Sequence, residues 1–412
     1  MKTVGIVAEY NPFHNGHAYQ LAMAKKMTGA DYCIVVMSGD FVQRGTPAIM
    51  DKYIRAQAAL ENGADLVLEL PVYYAASSAE YFASGAIALL DKLGITDTLC
   101  FGSECGDVKV LSALAEALLD ETPQFKKILQ QQMKTGATYP QARNHALSVT
   151  APHLTGVLHV LQSPNNILGL EYIKAIIRRQ SRIQPYTLSR LGAGYHVASL
   201  EASYSSALAI RESISLKKDI GYVKDQIPSS VYDAMEKAFG HTFPILPDDL
   251  SALLPYKLLL EYDSDYTSYL DIDESFSDRL ANILPAYTGH ASFCEQLKTK
   301  NMTYTRVARN LLHILLNIYK TDMDSFRTED YIYYARMLGF RKEAEPLLGL
   351  IKEHSEIPLI SKLADSDGVI NQANGLKMLA ADIRSSNIYS LLIQQKFGGA
   401  LQNEYRNQII VM

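Results

Sequence analysis

No two cysteines of this sequence form a CxxC pair, and the four present (Cys33, Cys100, Cys105, Cys294) are widely scattered. Cys33 and Cys100 fall in apolar runs that read as strands, so buried, reduced thiols in a reducing compartment are expected. Also missing is any uninterrupted apolar stretch long enough to span a bilayer, and no charged-then-apolar leader opens the sequence. A soluble, cytoplasmic protein with no membrane partner is therefore expected. Internal repeats and low-complexity tracts are absent as well. An excess of positive charge is lacking: the formal net charge of −5 argues against wholesale coating of nucleic acid, while leaving room for a local basic face. What is there is ordinary for a folded chain, 48% hydrophobic and 20% charged, which excludes extensive disorder. At 412 residues one simple core is too little, and two or three domains are expected.

Hydrophobic patterning organises the first half as alternating strands and helices. Lys2–Ala8 is a β-branched run, followed by a turn and an amphipathic stretch from Gly16 to Met27. The apolar run Tyr32–Met37, the polar loop Ser38–Pro47 and a helix over about Asp51–Asn62 come next. Asp65–Leu70 reads as a strand stopped by Pro71, Ser77–Leu93 as a helix closed by Gly94, and Thr98–Phe101 as a further strand. Ser163–Arg179 reads as a helix with Pro164 in its first turn, and Arg182–Leu188 as a strand. Such alternation predicts an α/β fold, a parallel sheet with crossover helices on both faces, which binds ligands beyond the carboxyl ends of its strands. After about residue 220 the strand signal fades. Ser229–Phe239, Tyr304–Tyr319, Thr328–Leu338, Arg341–Lys352 and Leu376–Gln394 read as helices, with stops at Gly240 and Gly339. The expected division is an α/β ATP-binding domain over residues 1–220 and a helical domain over residues 221–412.

The sharpest signal is the passage Gly5-Ile6-Val7-Ala8-Glu9-Tyr10-Asn11-Pro12-Phe13-His14-Asn15-Gly16-His17 from the first strand into the first helix. Pro12 sets a turn, and Gly16 lets backbone approach a ligand. The new helix offers unpaired N–H groups and the positive end of its dipole, which suits polyphosphate. His14 and His17, three residues apart, can face one side and donate hydrogen bonds to oxygens that gain charge during phosphoryl transfer. The competing readings are half of a metal site, for which the remaining His, Cys and carboxylates show no companion spacing, or a pair of helix-capping histidines. The phosphate reading is preferred because the motif stands directly after the first strand with both Pro and Gly in place.

Other candidates are less isolated. Arg44 lies in the loop Ser38–Gly45 at the same sheet edge and can bear on a leaving pyrophosphate. Lys52 and Arg55 on the following helix can do the same, or form a solvated i, i+3 face. Lys174, Arg178 and Arg182 form a basic stripe at a helix end, where cations also simply complement the dipole. Lys298, Lys300, Arg306, Arg309 and His313 cluster further on. Arg306, Arg309 and His313 share a face opposite Leu311, Leu312, Leu315 and Leu316, which suits nucleic-acid phosphates or plain solvation.

Here the residues point to a family. His14-Asn15-Gly16-His17 resembles the HxGH signature of adenylyltransferases and class I aminoacyl-tRNA synthetases. Glu9 through His17, Met37-Ser38-Gly39, Gln43-Arg44-Gly45, Asp65 through Pro71 and Phe101-Gly102-Ser103-Glu104 together resemble the bacterial tRNA(Met) cytidine acetate ligases. Ser163 through Gly169 and Gly192-Ala193-Gly194-Tyr195-His196 extend the likeness through most of the chain. The resemblance implies a Rossmann-like nucleotidyltransferase sheet of the HUP type, with the two histidines on the ATP phosphates. It implies two steps: acetate attacks the α-phosphate of ATP to give acetyl-adenylate, and the N4 amine of the wobble cytidine of elongator tRNA(Met) takes the acetyl group.

Under that resemblance His14, His17 and Arg44 are catalytic, and ATP is bound along Val7, Ala8, Glu9, Tyr10, Asn11, Pro12, Phe13, His14, Asn15, Gly16 and His17. Gly102, Asn166 and Arg190 help to bind it, although capping a helix also accounts for Asn165 or Asn166. Ser205 through Arg211 resembles the second nucleotidyltransferase signature, but Leu208 stands where a Thr is typical. Arg211 is kept as an ATP residue, while Ser206 also suits a plain N-cap. The family usually has Asn at Asp40, and a carboxylate there would repel phosphate, so Asp40 is given no role. Mg²⁺ is expected with ATP, without assignable protein ligands. Lys298, Lys300, Arg306 and Arg309 are the expected tRNA face. Two alternatives remain open: an adenylyltransferase acting on a small phosphorylated acceptor such as a pantetheine or nicotinate compound, and a nucleotide-sensing RNA-binding protein without turnover.

Overall fold

Period-two alternation of the second strand run shows why the sheet has helices on both faces. In the computed structural model, which describes residues 1–189 and 205–412, Cys33, Val35 and Met37 of the strand Tyr32–Ser38 enter one apolar core, and Ile34 and Val36 enter another. Both sets are apolar because both faces of the strand are covered. One core takes Leu21 and Ala24 from the helix Asn15–Thr28, Ala56, Ala59 and Leu60 from Lys52–Glu61, and Ile210 and Ile214 from Ala207–Lys217. The other takes residues of the helices Ala79–Lys92 and Pro164–Arg179 and extends through the helices that follow residue 245.

Among the described residues the main sheet has eight strands. Its path runs Ile410–Val411, Ala335–Phe340, Leu66–Leu70, Tyr32–Ser38, Thr3–Ala8, Thr98–Ser103 and Gln184–Ser189, with Leu359–Ile360 also paired to Ala335–Phe340. All pairings are parallel except that of Leu66–Leu70 with Ala335–Phe340. The first strand is central: the chain steps to one side of it through Tyr32–Ser38 and to the other through Thr98–Ser103. That reversal of strand order is the place where an open α/β sheet forms a crevice at its carboxyl edge. A short hairpin, Phe41–Val42 with Thr46–Pro47, projects from that edge.

The expected α/β fold is observed, and so are the helix signals. Asp51 caps Lys52–Glu61 by accepting from the amides of Tyr53 and Ile54 at 2.9 and 3.0 Å. Pro164 does occupy a first turn. One element differs. Thr328–Leu338 was expected to be helical with Gly339 as its stop, whereas the helix Lys320–Thr328 ends and Ala335–Phe340 is a strand. Gly339 sits inside that strand because a Cβ there would lie 2.7 Å from the Ile410 carbonyl and 2.9 Å from Leu60 Cδ1. The segment after residue 220 is thus mainly helical but returns three short strands to the sheet.

Candidate active site

The first strand delivers Val7, Ala8 and Glu9 to the carboxyl edge, and a sharp turn follows, with Tyr10 at φ 48° and a cis Asn11–Pro12 peptide. Asn11 is buried and its Oδ1 accepts from Ile49 N at 2.8 Å, which pins the turn to the next loop. His14 is the N-cap of the helix Asn15–Thr28. Its Nδ1 accepts from Gly16 N at 3.1 Å, while His17 Nδ1 accepts from His14 N at 3.2 Å. This is a capping box built from two imidazoles, each satisfying an amide that helix formation leaves over. The rings stack with centroids 3.7 Å apart and planes 21° from parallel. The capping reading is therefore observed; with Nδ1 accepting, a neutral ring carries its proton on Nε2.

Gly16 is required by the cap itself. A Cβ there would meet the His14 ring at 2.9 and 3.1 Å, so only glycine lets His14 fold back over its own helix start. Tyr10 and Phe13 are both buried, and their ring centroids lie 4.9 and 5.6 Å from that of His17. They buttress the second histidine from below the surface.

Around this start lies a cavity of about 220 Å³. Of the expected residues, Val7, Ala8, Glu9, Tyr10, Asn11, His14, Gly16, His17, Arg44, Gly102 and Arg211 line it. Arg211 also donates to the Asn11 carbonyl and so ties the Ala207–Lys217 helix to the turn. Ser205, Ser206 and Leu208 are on the wall, and Ser206 is the N-cap, accepting from Ala209 N at 3.1 Å. Pro12, Phe13, Asn15 and Asn166 are not on the wall. Asn15 Nδ2 donates to Asp225 O at 2.9 Å. Asn166 is buried, with Oδ1 accepting from the amides of Glu104 and Cys105 and Nδ2 donating to Val160 O. Arg190 lies outside the described residues, as does Gly192–His196. Phe82 and Tyr172 line the cavity without having been singled out, and Phe101, quoted above only as part of the Phe101–Glu104 string, lines it as well. Phe82 and Tyr172 come from two distant helices, and as isolated aromatics in amphipathic runs they carry no local signal.

Lys52 and Arg55 do not face the cavity. Both are fully buried, on the inner side of their helix. Lys52 Nζ reaches Glu69, Glu404 and Ser386 at 2.9, 2.7 and 2.7 Å, so its charge is already matched. Arg55 donates to four carbonyls: Met50 at 2.9 Å, Glu9 at 2.7 Å, Ser38 at 3.0 Å, and Gly39. It gathers the ends of the first two strands at the cavity edge and acts as a clamp on them. Asp40 is buried beside them, accepting from Lys52 N at 2.9 Å.

The basic stripes separate. Lys174 pairs with Glu171 at 2.8 Å, Arg178 with Glu80 at 2.7 Å, and Arg182 donates to the Gly94 carbonyl. On the helix Tyr304–Leu316, Arg306 is exposed, whereas Arg309 is half-buried with Nη1 3.5 Å from Gln43 O. His313 corrects the expected face: it is fully buried, its ring nitrogens 2.9 Å from the carbonyls of Leu270 and Ala76, and burial lowers its pKa. Lys298 and Lys300 are exposed, the former paired with Glu295 at 2.8 Å. The four cysteines are free. Among the described residues no group of three or more His, Cys, Asp or Glu side chains is placed to hold a metal ion, and no helix is long and apolar enough to cross a membrane.

A Rossmann-like sheet with a histidine-capped helix start at its switch point defines a nucleotidyltransferase, and the family model described as HIGH Nucleotidyl Transferase matches residues 1–404. Within that class the chain belongs to the tRNA(Met) cytidine acetate ligase family. It is 36% identical to the tRNA(Met) cytidine acetate ligase of Acetivibrio thermocellus, with 100% of each chain covered. To that of Caldanaerobacter subterraneus subsp. tengcongensis it is 39% identical, with 95% of each covered. The crystal structure of apo Thermotoga maritima TmcAL superimposes with a TM-score of 0.94 at 30% identity over 100% of both chains. That of the same protein bound with alpha-thio ATP gives 0.91 at 29% identity, covering 100% of this chain and 99% of the other.

Proposed function

We propose that this protein is an ATP-dependent ligase that activates acetate as acetyl-adenylate and transfers the acetyl group to N4 of the wobble cytidine of elongator tRNA(Met), acting in the cytoplasm. In the first step an acetate oxygen bonds to the α-phosphorus, the bond to the β-phosphate oxygen breaks, and pyrophosphate leaves. In the second, the cytidine amine bonds to the acetyl carbon, loses a proton, and AMP leaves. Activation is needed because the lone pair of that amine is delocalised into the ring, and a mixed anhydride supplies a leaving group that free acetate lacks.

The observation that carries this reading is the stacked His14–His17 pair in the wall of a cavity at the sheet's carboxyl edge. Two preorganised donors there, with the positive end of the helix behind them, stabilise charge developing on the phosphates. Arg44 adds a fixed positive charge for the leaving pyrophosphate, and Gly102, Arg190 and Arg211 complete the nucleotide contacts. Mg²⁺ would accompany ATP and neutralise charge on its phosphates, and Glu9, the one carboxylate among the described residues of the wall, would be the side chain able to bear on it. Residues 1–220 carry the nucleotide chemistry, and the tRNA contacts Lys298, Lys300, Arg306 and Arg309 in the segment from 221 to 412. The test is direct: labelled acetate mixed with enzyme, ATP and tRNA(Met) yields labelled tRNA only when ATP is present. Failure to label tRNA under these conditions contradicts the proposal.

A further inference from the structure

Between Thr122 and Leu170 the sequence contains no aspartate or glutamate, although the chain as a whole is acidic. Asp and Glu number 44 across 412 residues, so a run of this length at average density would carry about five. The run folds as the helices Pro123–Lys134 and Tyr139–Thr150, the 3₁₀ segment Pro152–Gln162, and the start of Pro164–Arg179. In sequence it lies between two strands that pair directly in the sheet, Thr98–Ser103 and Gln184–Ser189. Lys126, Lys127, Lys134, His145, His153 and His159 are all exposed on it. Lys126 lies 3.6 Å from Glu121, just outside the run, and no ion pair within the described residues engages Lys127 or Lys134. An ordinary solvated helix pair mixes both signs of charge; the charged side chains of this one are all cationic.

One contact joins the surface to the cavity: Asn166 Nδ2 donates to Val160 O at 3.0 Å, fixing the insertion to the helix whose Asn165 and Leu168 line the cavity. Within the insertion, Arg143 Nη2 donates to Leu161 O at 3.3 Å and ties the helix Tyr139–Thr150 to the 3₁₀ segment. At its other end Lys300 Nζ donates to Gly136 O at 3.2 Å. The acid-free insertion therefore adjoins Lys300 at one end and the nucleotide cavity at the other.

We infer that this insertion is a second docking surface for the tRNA phosphate backbone, continuous with the Lys298–Lys300 region and leading to the cavity. The inference rests on the tRNA reading above. Absence of carboxylates removes the like-charge repulsion that would otherwise oppose an RNA strand, and exposed lysines displace condensed counterions. Recognition of this kind is sequence-independent: it orients the RNA and leaves choice of base to other contacts.

The test is the variant Lys126→Glu, Lys127→Glu, Lys134→Glu, with Lys→Gln at the same positions as the milder form. Binding of tRNA(Met) transcript is measured at several salt concentrations. The expected result is a dissociation constant raised about ten- to hundredfold near 0.1 M salt, and a log–log salt dependence flatter by about 2–3. Lys→Gln gives the intermediate value. Acetate-dependent pyrophosphate exchange, which involves no RNA, and the thermal unfolding midpoint stay at the parent values and report that the fold is intact. Unchanged tRNA affinity and salt slope in the Glu variant overturn the inference while leaving the ligase reading standing. A parent protein that binds no tRNA at all overturns both.

Discussion

Glu104 and Asn166 hold each other by exchanged bonds: Asn166 Oδ1 accepts from Glu104 N at 2.9 Å, and Glu104 Oε2 accepts from Asn166 N at 2.9 Å. Glu104 Oε1 also takes a bond from Asn165 Nδ2 at 2.6 Å. A carboxylate thus occupies the positive end of the Pro164–Arg179 helix, which leaves the Asn15–Thr28 helix as the start that faces the cavity with histidines.

Asn166→Ala removes the three bonds of the Asn166 side chain, from Glu104 N, from Cys105 N and to Val160 O, at a residue only 2% exposed, and strands two amides and one carbonyl. Unsatisfied buried groups cost about 1–3 kcal/mol each before relaxation and water entry. The expected loss is at least about 2 kcal/mol of unfolding free energy, read by urea titration. A variant as stable as the parent would show that Asn166 does not hold this turn together.

How much of this was legible beforehand depends on the range of the interaction. The strand–turn–helix from Gly5 to His17 announces itself because its signals (β-branched run, Pro12, Gly16, paired histidines) lie within a few residues. Lys52 and Arg55 were ambiguous because i, i+3 spacing is common to solvated and buried faces. Glu69 and Glu404, the partners that decide for Lys52, lie 17 and 352 positions away in sequence. Gly339 looked like a helix stop, since the neighbour that demands a missing Cβ is Ile410 on a strand at the far end of the chain. His313 shared a helical face with two arginines, but the carbonyls that receive it belong to Leu270 and Ala76.

The buried charges around Lys52 make stability depend on pH in two opposite ways. Lys52 and Arg336 balance Glu69 and Glu404, leaving Asp40 and Asp382 as surplus carboxylates. Burial, and then the charge of Glu69, pushes Asp382 up to about 7, and burial pushes Asp40 up to about 6 against the pull of Lys52. A carboxyl whose folded pKa is raised holds its proton longer in the folded state, so stability falls as pH rises from about 4 to 7. Burial alone would raise Glu404, but Lys52 and Arg336 bring it down to about 2; its contribution is present above about 4.5 and lost as pH falls toward 2. Urea unfolding should therefore show greater stability near pH 5 than near pH 8, and Asp382→Asn should shrink that difference. An unaltered pH slope in the variant would contradict the assignment.

Gly45 fastens the Arg44 loop to the Tyr304–Leu316 helix. Its φ is +76°, and a Cβ there would lie 2.3 Å from Arg309 N and 2.5 Å from Ala308 C, both backbone atoms. Gly45→Ala must push the loop off the helix, and with the unfavourable φ it should cost about 1–3 kcal/mol of stability. It should also raise the KM for ATP through displacement of Arg44. A KM equal to the parent's would mean that Arg44 is not held by this contact.

The proposed ligase activity requires the capped imidazole pair to act on the phosphates of ATP. Acetate-dependent exchange of labelled pyrophosphate into ATP reports that step without involving RNA. His14→Ala and His17→Ala should each lower the exchange rate by about 10²–10³, the loss expected for one preorganised donor to a charge-bearing oxygen. Exchange at the parent rate in both folded variants would contradict the account.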